Sequence, residues 1–202
     1  MDNSQIIRSR SFPIKEVREL KIKFGKAKPF SNMCIKDFLK NHKTLGETIK
    51  KEQFYKKDSD LFSFSQTNNL FYSKNPIIQS AVKLFSSQTF SSLISAISGI
   101  KLKGAIDIFG SLYGKTDYLL CHDDRVEDRK IAFILYLNTL SKKDGCNLAL
   151  YSGKKSHPYK KIISYHPVEN SLFLFAVSKM SWHEVEEVVS SKKRYAISGW
   201  LH

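Results

Sequence analysis

A histidine and an aspartate two residues apart are the first side chains in this sequence whose types and spacing could bind a metal ion. His122 and Asp124 follow the largely apolar segment 118–121. Side chains alternate along a strand with a period of two, so both would point to one face and Asp123 would point away. The third candidate ligand is His183. Two imidazoles and one carboxylate on one face of a cation suit non-haem iron(II) and leave coordination positions open.

An arginine downstream of His183 could bind a negatively charged ligand of the same ion. Arg194 opens the apolar segment that ends at Trp200. Its planar guanidinium offers paired N–H donors, which suit the far carboxylate of a dicarboxylic acid. A lone His-x-Asp pair is weak evidence, because chance supplies it often. A distal histidine followed by an arginine, each beside a strand-like segment, makes the pattern much more specific.

Each of these residues also has a purely structural explanation, which the sequence leaves open. His183 could be a buried histidine with ordinary hydrogen bonds, and Arg194 could be a surface residue in the basic run 192–194. Tyr136 lies in the apolar segment 131–137, where a buried phenol needs a polar partner. That partner could be a carboxylate bound by Arg194, or it could be a backbone group.

The composition indicates a folded, strongly basic chain. Its 202 residues are 42% hydrophobic and 12% aromatic, enough for one domain with a sizeable core. The formal charge of +14 favours contact with nucleic acid, a ribonucleoprotein or an anionic surface. The alternative is a lysine-rich proteome in which lysine is simply the default polar residue.

The cysteines and the apolar segments bear on the compartment. The three cysteines form no even framework and no Cys-x-x-Cys pair, so we expect free thiols in a reducing compartment, the cytoplasm or the nucleus. The first residues lack the pattern of a secretory signal, and no apolar segment has the length of a membrane helix. We therefore expect no membrane partner.

The first half of the chain is predicted to support a β core rather than to carry chemistry. Residues 1–28 are polar and basic and are predicted to be a flexible arm with one short element around residues 14–22. Residues 29–202 are predicted to be a single domain, with helical support over 29–100. The predicted elements are a short strand over 30–35, a helix capped by Asp37, a helix over 44–55, an irregular segment or short strand over 58–69, a helix from Pro76 and a helix over 90–97 that ends at Gly99.

From residue 101 to 202, short apolar runs alternate with turn residues, which is typical of a β core. Eight short strands at nearly even spacing favour a sandwich or jelly roll, so the predicted fold class is α+β with a mainly β core. The predicted strands cover 105–112, 117–122, 130–138, 147–151, 161–166, 171–177, 184–189 and 194–201.

Four segments of this core resemble the eukaryotic 2-oxoglutarate-dependent prolyl hydroxylases that modify a ribosomal protein. The resemblance reaches back to residues 28–30 and covers the chain from there to its end. The four segments are DYLLCHDD at 117–124, RKIAFILYL at 129–137, SWHEV at 181–185 and RYAISGWLH at 194–202.

This resemblance implies both a fold and a set of site residues. The fold would be a double-stranded β-helix in which the two histidines and Asp124 named above bind iron(II). Arg194 and Tyr136 would bind the far carboxylate of 2-oxoglutarate. Tyr113, nine residues before His122, would line the cosubstrate pocket.

The resemblance also implies an activity and partners. The expected reaction is hydroxylation of a prolyl residue in a small-subunit ribosomal protein, with release of succinate and CO2 and with ascorbate as a further cofactor. RNA contact through the basic surface is a further expectation. Relatives usually carry a second, non-catalytic β-helix domain, and because this chain stops at His202 we expect that domain to be absent.

Two other functions remain open on the sequence alone. One is a non-enzymatic module that binds a ribosomal or RNA partner through a reduced oxygenase fold. The other is the same chemistry on a different protein or on a nucleic acid.

Overall fold

A computed structural model describes residues 7–126, 128–155 and 157–202, which form four α-helices and eleven β-strands. The helices are α1 (Ile14–Lys26), α2 (His42–Ile49), α3 (Pro76–Phe85) and α4 (Gln88–Ser98). The strands are β1 (Asn32–Ile35), β2 (Tyr55–Ser59), β3 (Phe62–Gln66), β4 (Ile106–Tyr113), β5 (Tyr118–His122), β6 (Ile131–Tyr136), β7 (Leu148–Lys154), β8 (His157–Tyr165), β9 (Leu172–Ala176), β10 (His183–Val185) and β11 (Arg194–Leu201).

The strands form one continuous antiparallel sheet that curls on itself. One half has the order β1-β9-β6-β11-β4, the other has the order β5-β10-β7-β8, and β3 joins β4 to β5. Side chains of β6, β9 and β11 meet Leu148 and Leu150 of β7 in a shared apolar cluster, so the two halves face each other. The jelly-roll arrangement predicted from the spacing of the strands is confirmed.

Helices cover the outer face of the first half-sheet. Phe133 of β6 stacks on Phe85 of α3 with ring centroids 5.0 Å apart, and Ile131 and Leu135 join the same helical core. The alternate residues of β6 point into the curl. Because β6 is covered on both faces, it is an uninterrupted apolar run rather than an alternating one.

The structure corrects the expectation of a flexible N-terminal arm. Leu20 and Phe24, one helical turn apart on α1, are buried in the core between exposed basic residues, and Ile7 is also buried. Ser9 forms a bridge with Leu39, which fixes the segment before the helix. Among so many lysines, two buried positions gave too weak a periodic signal to predict packing. Residues 1–6 of the predicted arm lie outside the described residues.

The supporting elements differ from the prediction at Asp37. It does not cap a helix, because its φ of 51° is left-handed and the next helix begins only at His42. Of the two alternatives for 58–69, an irregular segment or a short strand, the structure has the strand, because β3 lies there and pairs with β2 in a hairpin. The predicted start at Pro76 is correct, since the Asn75 side chain accepts a hydrogen bond from the Ile77 N–H at 3.0 Å.

The end of α4 also agrees with the prediction, because Gly99 caps it with a left-handed φ of 73°. In the described part of the chain, no helix combines the length and the apolar character needed to cross a membrane.

Candidate active site

The two histidines of the candidate site are neighbours on paired strands. His122 ends β5, His183 begins β10, and the antiparallel register places them directly opposite each other. Their ring centroids are 4.2 Å apart. Phe175 of β9 packs against His183 at a centroid distance of 4.5 Å, so the facing half of the sheet holds this imidazole in place. Two residues 61 positions apart in sequence are thus brought together by strand pairing.

Asp124 joins the histidines from the turn after β5. Its φ is 61°, a left-handed conformation that aspartate tolerates better than most residues. This turn brings one carboxylate oxygen to 3.3 Å from His122 Nε2 and the other to 3.5 Å from His183 Nε2. Candidate ligand atoms of the three residues lie within 4.8 Å of one another. Asp123 instead pairs with Arg125 at 2.7 Å.

Backbone carbonyls fix which imidazole nitrogen faces the site. Nδ1 of His122 lies 2.8 Å from the Leu120 carbonyl oxygen, and Nδ1 of His183 lies 2.7 Å from that of Ser181. A carbonyl can only accept, so each Nδ1 carries a proton, and in the neutral imidazole the lone pair is on Nε2, which is directed into the site. Hydrogen bonds of this kind orient metal-binding histidines in proteins.

The local electrostatics keep a ligand set available at neutral pH. Burial, and then the neighbouring His122, lower the pKa of His183 to about 4, so this imidazole is neutral. Burial alone would raise the pKa of Asp124, but the two imidazoles and Trp200 outweigh it and hold that pKa below its usual range. Burial alone would lower the pKa of His122, but the neighbouring Asp124 outweighs it and raises that pKa. The site therefore contains a carboxylate, the neutral imidazole of His183 and a second imidazole, which are donor types that bind divalent cations.

A cavity extends from the two histidines and Asp124, and its other end contains a buried cation. Arg194 begins β11, is 2% exposed and lies opposite Tyr113 in the register with β4. Its guanidinium carbon is 4.9 Å from the ring centroid of Tyr113 and 5.0 Å from that of Tyr136. Its Nη1 donates a weak hydrogen bond to the Cys146 sulfur at 3.9 Å. The structure thus brings together all three residues predicted to bind the cosubstrate.

Two polar atoms at this end have no hydrogen-bond partner in the described part of the chain. They are Nε of Arg194 and the hydroxyl of Tyr136. In the described part of the chain, the groups that interact with the Arg194 guanidinium are Cys146, Tyr136 and Tyr113 rather than a carboxylate, and a buried unpaired charge is costly. Burial also raises the pKa of Tyr136, so its phenol stays a neutral donor. The pair is suited to an anion, and the far carboxylate of 2-oxoglutarate fits it.

One cavity connects the two ends. It has a volume of about 90 Å³ and is lined by His122, Asp124 and His183 as well as by Tyr113 and Arg194. At 10–15 Å³ for each water-sized group, this is room for roughly six to nine such groups. The cavity is therefore of the order of size of a small organic acid and much too small for a nucleotide. Most of the remaining lining is apolar, for example Leu119, Ile134 and Val185, which keeps the cavity poor in water.

Trp200 was not among the predicted site residues, but the structure places it in the cavity wall. Trp200 lies on β11 at an even spacing from Arg194, so both residues face inward, and this alternation was the signal available. The Arg129 guanidinium carbon lies 3.6 Å from the ring centroid of Trp200 and covers its outer side. The carbonyls of Leu120 and Ser181 were not foreseen either, because backbone partners leave no side-chain signature.

Comparison with known proteins shows which family this chain resembles. Residues 108–202 match the family model of the 2OG-Fe(II) oxygenase superfamily. The chain is 39% identical over 181 residues to "Prolyl 3-hydroxylase OGFOD1" of Xenopus laevis and, equally, to that of Mus musculus. Each alignment covers 86% of this chain but only 35% and 33% of the relatives, so the chain spans about a third of their length.

A solved structure agrees with the fold. A prolyl-4-hydroxylase of Pseudomonas putida superposes with a TM-score of 0.70 over 92% of this chain and 98% of that protein, at 16% identity. At this identity the likeness concerns the fold alone, which is the predicted double-stranded β-helix. The family model and the two relatives lead to the same conclusion: the chain belongs to the 2OG-Fe(II) oxygenase superfamily and is similar to prolyl hydroxylases within it.

Proposed function

We propose that this chain is an oxygenase that uses iron(II) and 2-oxoglutarate to hydroxylate a prolyl residue, with release of succinate and CO2. The observation that carries the proposal is the cavity with two chemically different ends. One end holds two imidazoles and a carboxylate. The other holds the buried guanidinium of Arg194, which lies beside the ring of Tyr136. The guanidinium Nε and the Tyr136 hydroxyl have no hydrogen-bond partner in the described part of the chain. A small ligand that bridges a cation and a second anion site would satisfy both ends.

In this proposal His122, Asp124 and His183 hold the metal, and the bound iron supplies the oxygen chemistry. The Leu120 and Ser181 carbonyls keep both Nε2 atoms directed at it. Arg194 and Tyr136 orient the cosubstrate by charge-assisted hydrogen bonds to its far carboxylate, while the apolar walls exclude water.

Tyr113 has a separate role in the proposal. It forms one wall beside Arg194 and is itself held by Phe64, with stacked rings 5.1 Å apart. A fixed aromatic wall keeps the guanidinium in one orientation, so the cosubstrate meets a preformed site.

An apolar vestibule outside the metal end supports a prolyl substrate. This depression of about 380 Å³ reaches His122 and Asp124 and is lined mainly by apolar residues. Leu61 and Leu120 lie on its rim and are 64% and 46% exposed, respectively. A pyrrolidine ring offers only C–H groups to its surroundings, so this vestibule favours it over a charged side chain.

We further propose a small-subunit ribosomal protein as the substrate, ascorbate as a reductant and the cytoplasm or nucleus as the compartment. These points rest on the resemblance of the four sequence segments, and the high positive charge is compatible with work beside a ribonucleoprotein. The matched relatives are named as prolyl 3-hydroxylases, which supports a proline target.

The test is succinate formation with iron(II), ascorbate, 2-oxoglutarate and proline-containing peptides from the small ribosomal subunit. We expect iron-dependent succinate release coupled to the gain of one oxygen atom on a proline, detected by mass spectrometry. His122→Ala should abolish both signals. Succinate release by His122→Ala at the wild-type rate would refute the proposal. An inactive wild type that still binds ribosomal components without iron would favour the non-enzymatic module.

A further inference from the structure

We propose that the hairpin of β7 and β8 is a binding site for single-stranded RNA. The surface concerned, called the basic hairpin below, consists of Lys154, Lys155, His157, Tyr159 and Lys160. None of these residues lines the cavity of the candidate active site, so the inference is independent of the proposed reaction.

The basic hairpin projects from the body of the protein. β8 is the last strand at one end of the sheet, and its residues 157–163 are all exposed. Exposure of consecutive residues means that both faces of this strand are open to solvent, unlike a strand packed on a core. Backbone groups along its outer edge are also free to pair with a ligand, as on any edge strand.

The positive charges of the basic hairpin are not neutralised within the protein. Among the residues that the structure describes, the lysines that pair with carboxylates do not include Lys154, Lys155 or Lys160. The nearby acids are already used at the base of the hairpin, where Lys161 lies 2.7 Å from Glu186 and 3.7 Å from Glu184. The tip is therefore a local concentration of unpaired cations, which attracts a polyanion.

An exposed aromatic ring distinguishes RNA from an acidic peptide as the partner. Tyr159 is 67% exposed, and Lys154 Nζ lies 5.0 Å from its ring centroid. An acidic peptide would need the lysines but would have no use for the ring. Unpaired bases stack on exposed aromatic side chains while lysines contact the phosphates, and this combination is typical of surfaces for single-stranded nucleic acid.

The position of the hairpin places such a strand beside the candidate active site. Leu150 of β7 pairs with His183, and Lys154 follows four residues later on the side away from Val185. At about 3.3 Å per residue, the tip lies about 13 Å beyond the level of His183. Close to this tip the hairpin still contacts the body of the protein, since a Cβ at Gly153 would lie 2.8 Å from the end of Met180 and 3.1 Å from Trp182. RNA on the hairpin would therefore lie near the metal end of the cavity.

The experiment is an anisotropy titration of a fluorescent single-stranded RNA at several salt concentrations, without iron or 2-oxoglutarate. We compare the wild type with the triple variant K154S/K155S/K160S and with Tyr159→Ser. The matched control is K21S/K23S/K26S on α1, which removes the same charge from other exposed positions. All substituted side chains are exposed, so thermal unfolding should confirm intact folds.

The hairpin triple variant should bind RNA at least tenfold more weakly, and its salt slope should be shallower by about 2, because each phosphate contact on a single strand contributes about 0.7. The affinity of Tyr159→Ser for RNA should fall about five- to 150-fold, which is the range for the loss of one stacked base. The α1 control should stay within about twofold of the wild type. Equal losses in the two triple variants would overturn the proposal. So would an unchanged affinity of Tyr159→Ser together with equally good displacement by polyglutamate.

Discussion

Replacing Tyr136 by phenylalanine should separate the stability of the protein from its affinity for the cosubstrate. The hydroxyl of Tyr136 is buried and has no hydrogen-bond partner in the described part of the chain. A buried hydroxyl without a partner costs about 1–3 kcal/mol. Removing it should therefore leave the free energy of unfolding of the ligand-free protein unchanged or increase it by up to about 1 kcal/mol.

The same substitution should weaken 2-oxoglutarate binding. A hydrogen bond to a charged group contributes about 1.5–3 kcal/mol, so the dissociation constant should rise about 10- to 150-fold. A ligand present at 100 times its dissociation constant stabilises a protein by about 2.7 kcal/mol. If that constant rises 100-fold, the same concentration stabilises the variant by only about 0.4 kcal/mol.

The assay is urea unfolding with and without 2-oxoglutarate, in anaerobic buffer with iron(II) so that no turnover occurs. Tyr165→Phe is the control, because the Tyr165 hydroxyl donates a hydrogen bond to Asn32 at 3.3 Å, away from Arg194. The free energy of unfolding of Tyr165→Phe should be lower by about 0.5–1.5 kcal/mol, and 2-oxoglutarate should stabilise this variant as much as the wild type. If Tyr136→Phe behaved like this control, Tyr136 would be an ordinary core tyrosine and the assignment would be wrong.

Three further predictions concern the metal, α1 and pH. Iron(II) should raise the melting temperature of the wild type and of Asp123→Asn but not of Asp124→Ala, because Asp123 pairs with Arg125 instead of facing the histidines; equal shifts in all three proteins would exclude Asp124 as a ligand. Phe24→Ala should lower the free energy of unfolding by about 3–5 kcal/mol, whereas Ile22→Ala on the exposed side should change it by less than about 0.5 kcal/mol. Equal effects of the two substitutions in chemical denaturation would mean that α1 does not pack against the core. Hydrogen bonds from Ser141 and then Lys192 lower the pKa of Asp144, so its contribution to stability is present above the unfolded-state pKa near 4 and is lost as the pH falls. Asp144→Asn should therefore be less stable than the wild type at pH 7, and the difference in the free energy of unfolding should shrink on acidification. A difference that does not depend on pH would contradict this sign.

The local patterns of the sequence carried much of the fold. Alternation and turn residues located the strands of the β core to within a few residues, with β8 the least accurate, because they are short apolar runs with clear breaks. The helix start at Asn75 and its end at Gly99 carry side-chain and backbone signals that act within one turn. Packing of α1 depended on long-range contacts of Leu20 and Phe24, for which the local sequence has no distinct pattern.

In the candidate site, too, some residues could be predicted from the local sequence and others could not. Residue types and spacing were enough to single out His122, Asp124 and His183, because so few side chains bind iron(II). The role of Tyr113 came only from the resemblance to a family. The sequence alone marked Tyr136 as a buried phenol that needs a polar partner, but it left a backbone group as an alternative to a carboxylate. The unpaired state of Arg194 could not be foreseen, because it depends on which carboxylates the fold brings near it.

The central claim is that two imidazoles and one aspartate bind a single iron ion, and that Arg194 binds the far carboxylate of the cosubstrate at the other end of the cavity. The most direct measurement is the anomalous scattering of iron in crystals grown anaerobically with iron(II) and 2-oxoglutarate. We predict one strong peak within coordination distance of Nε2 of both histidines and of the Asp124 carboxylate, with a cosubstrate carboxylate at Arg194. A peak elsewhere, or a cavity that binds neither iron nor 2-oxoglutarate, would contradict the account.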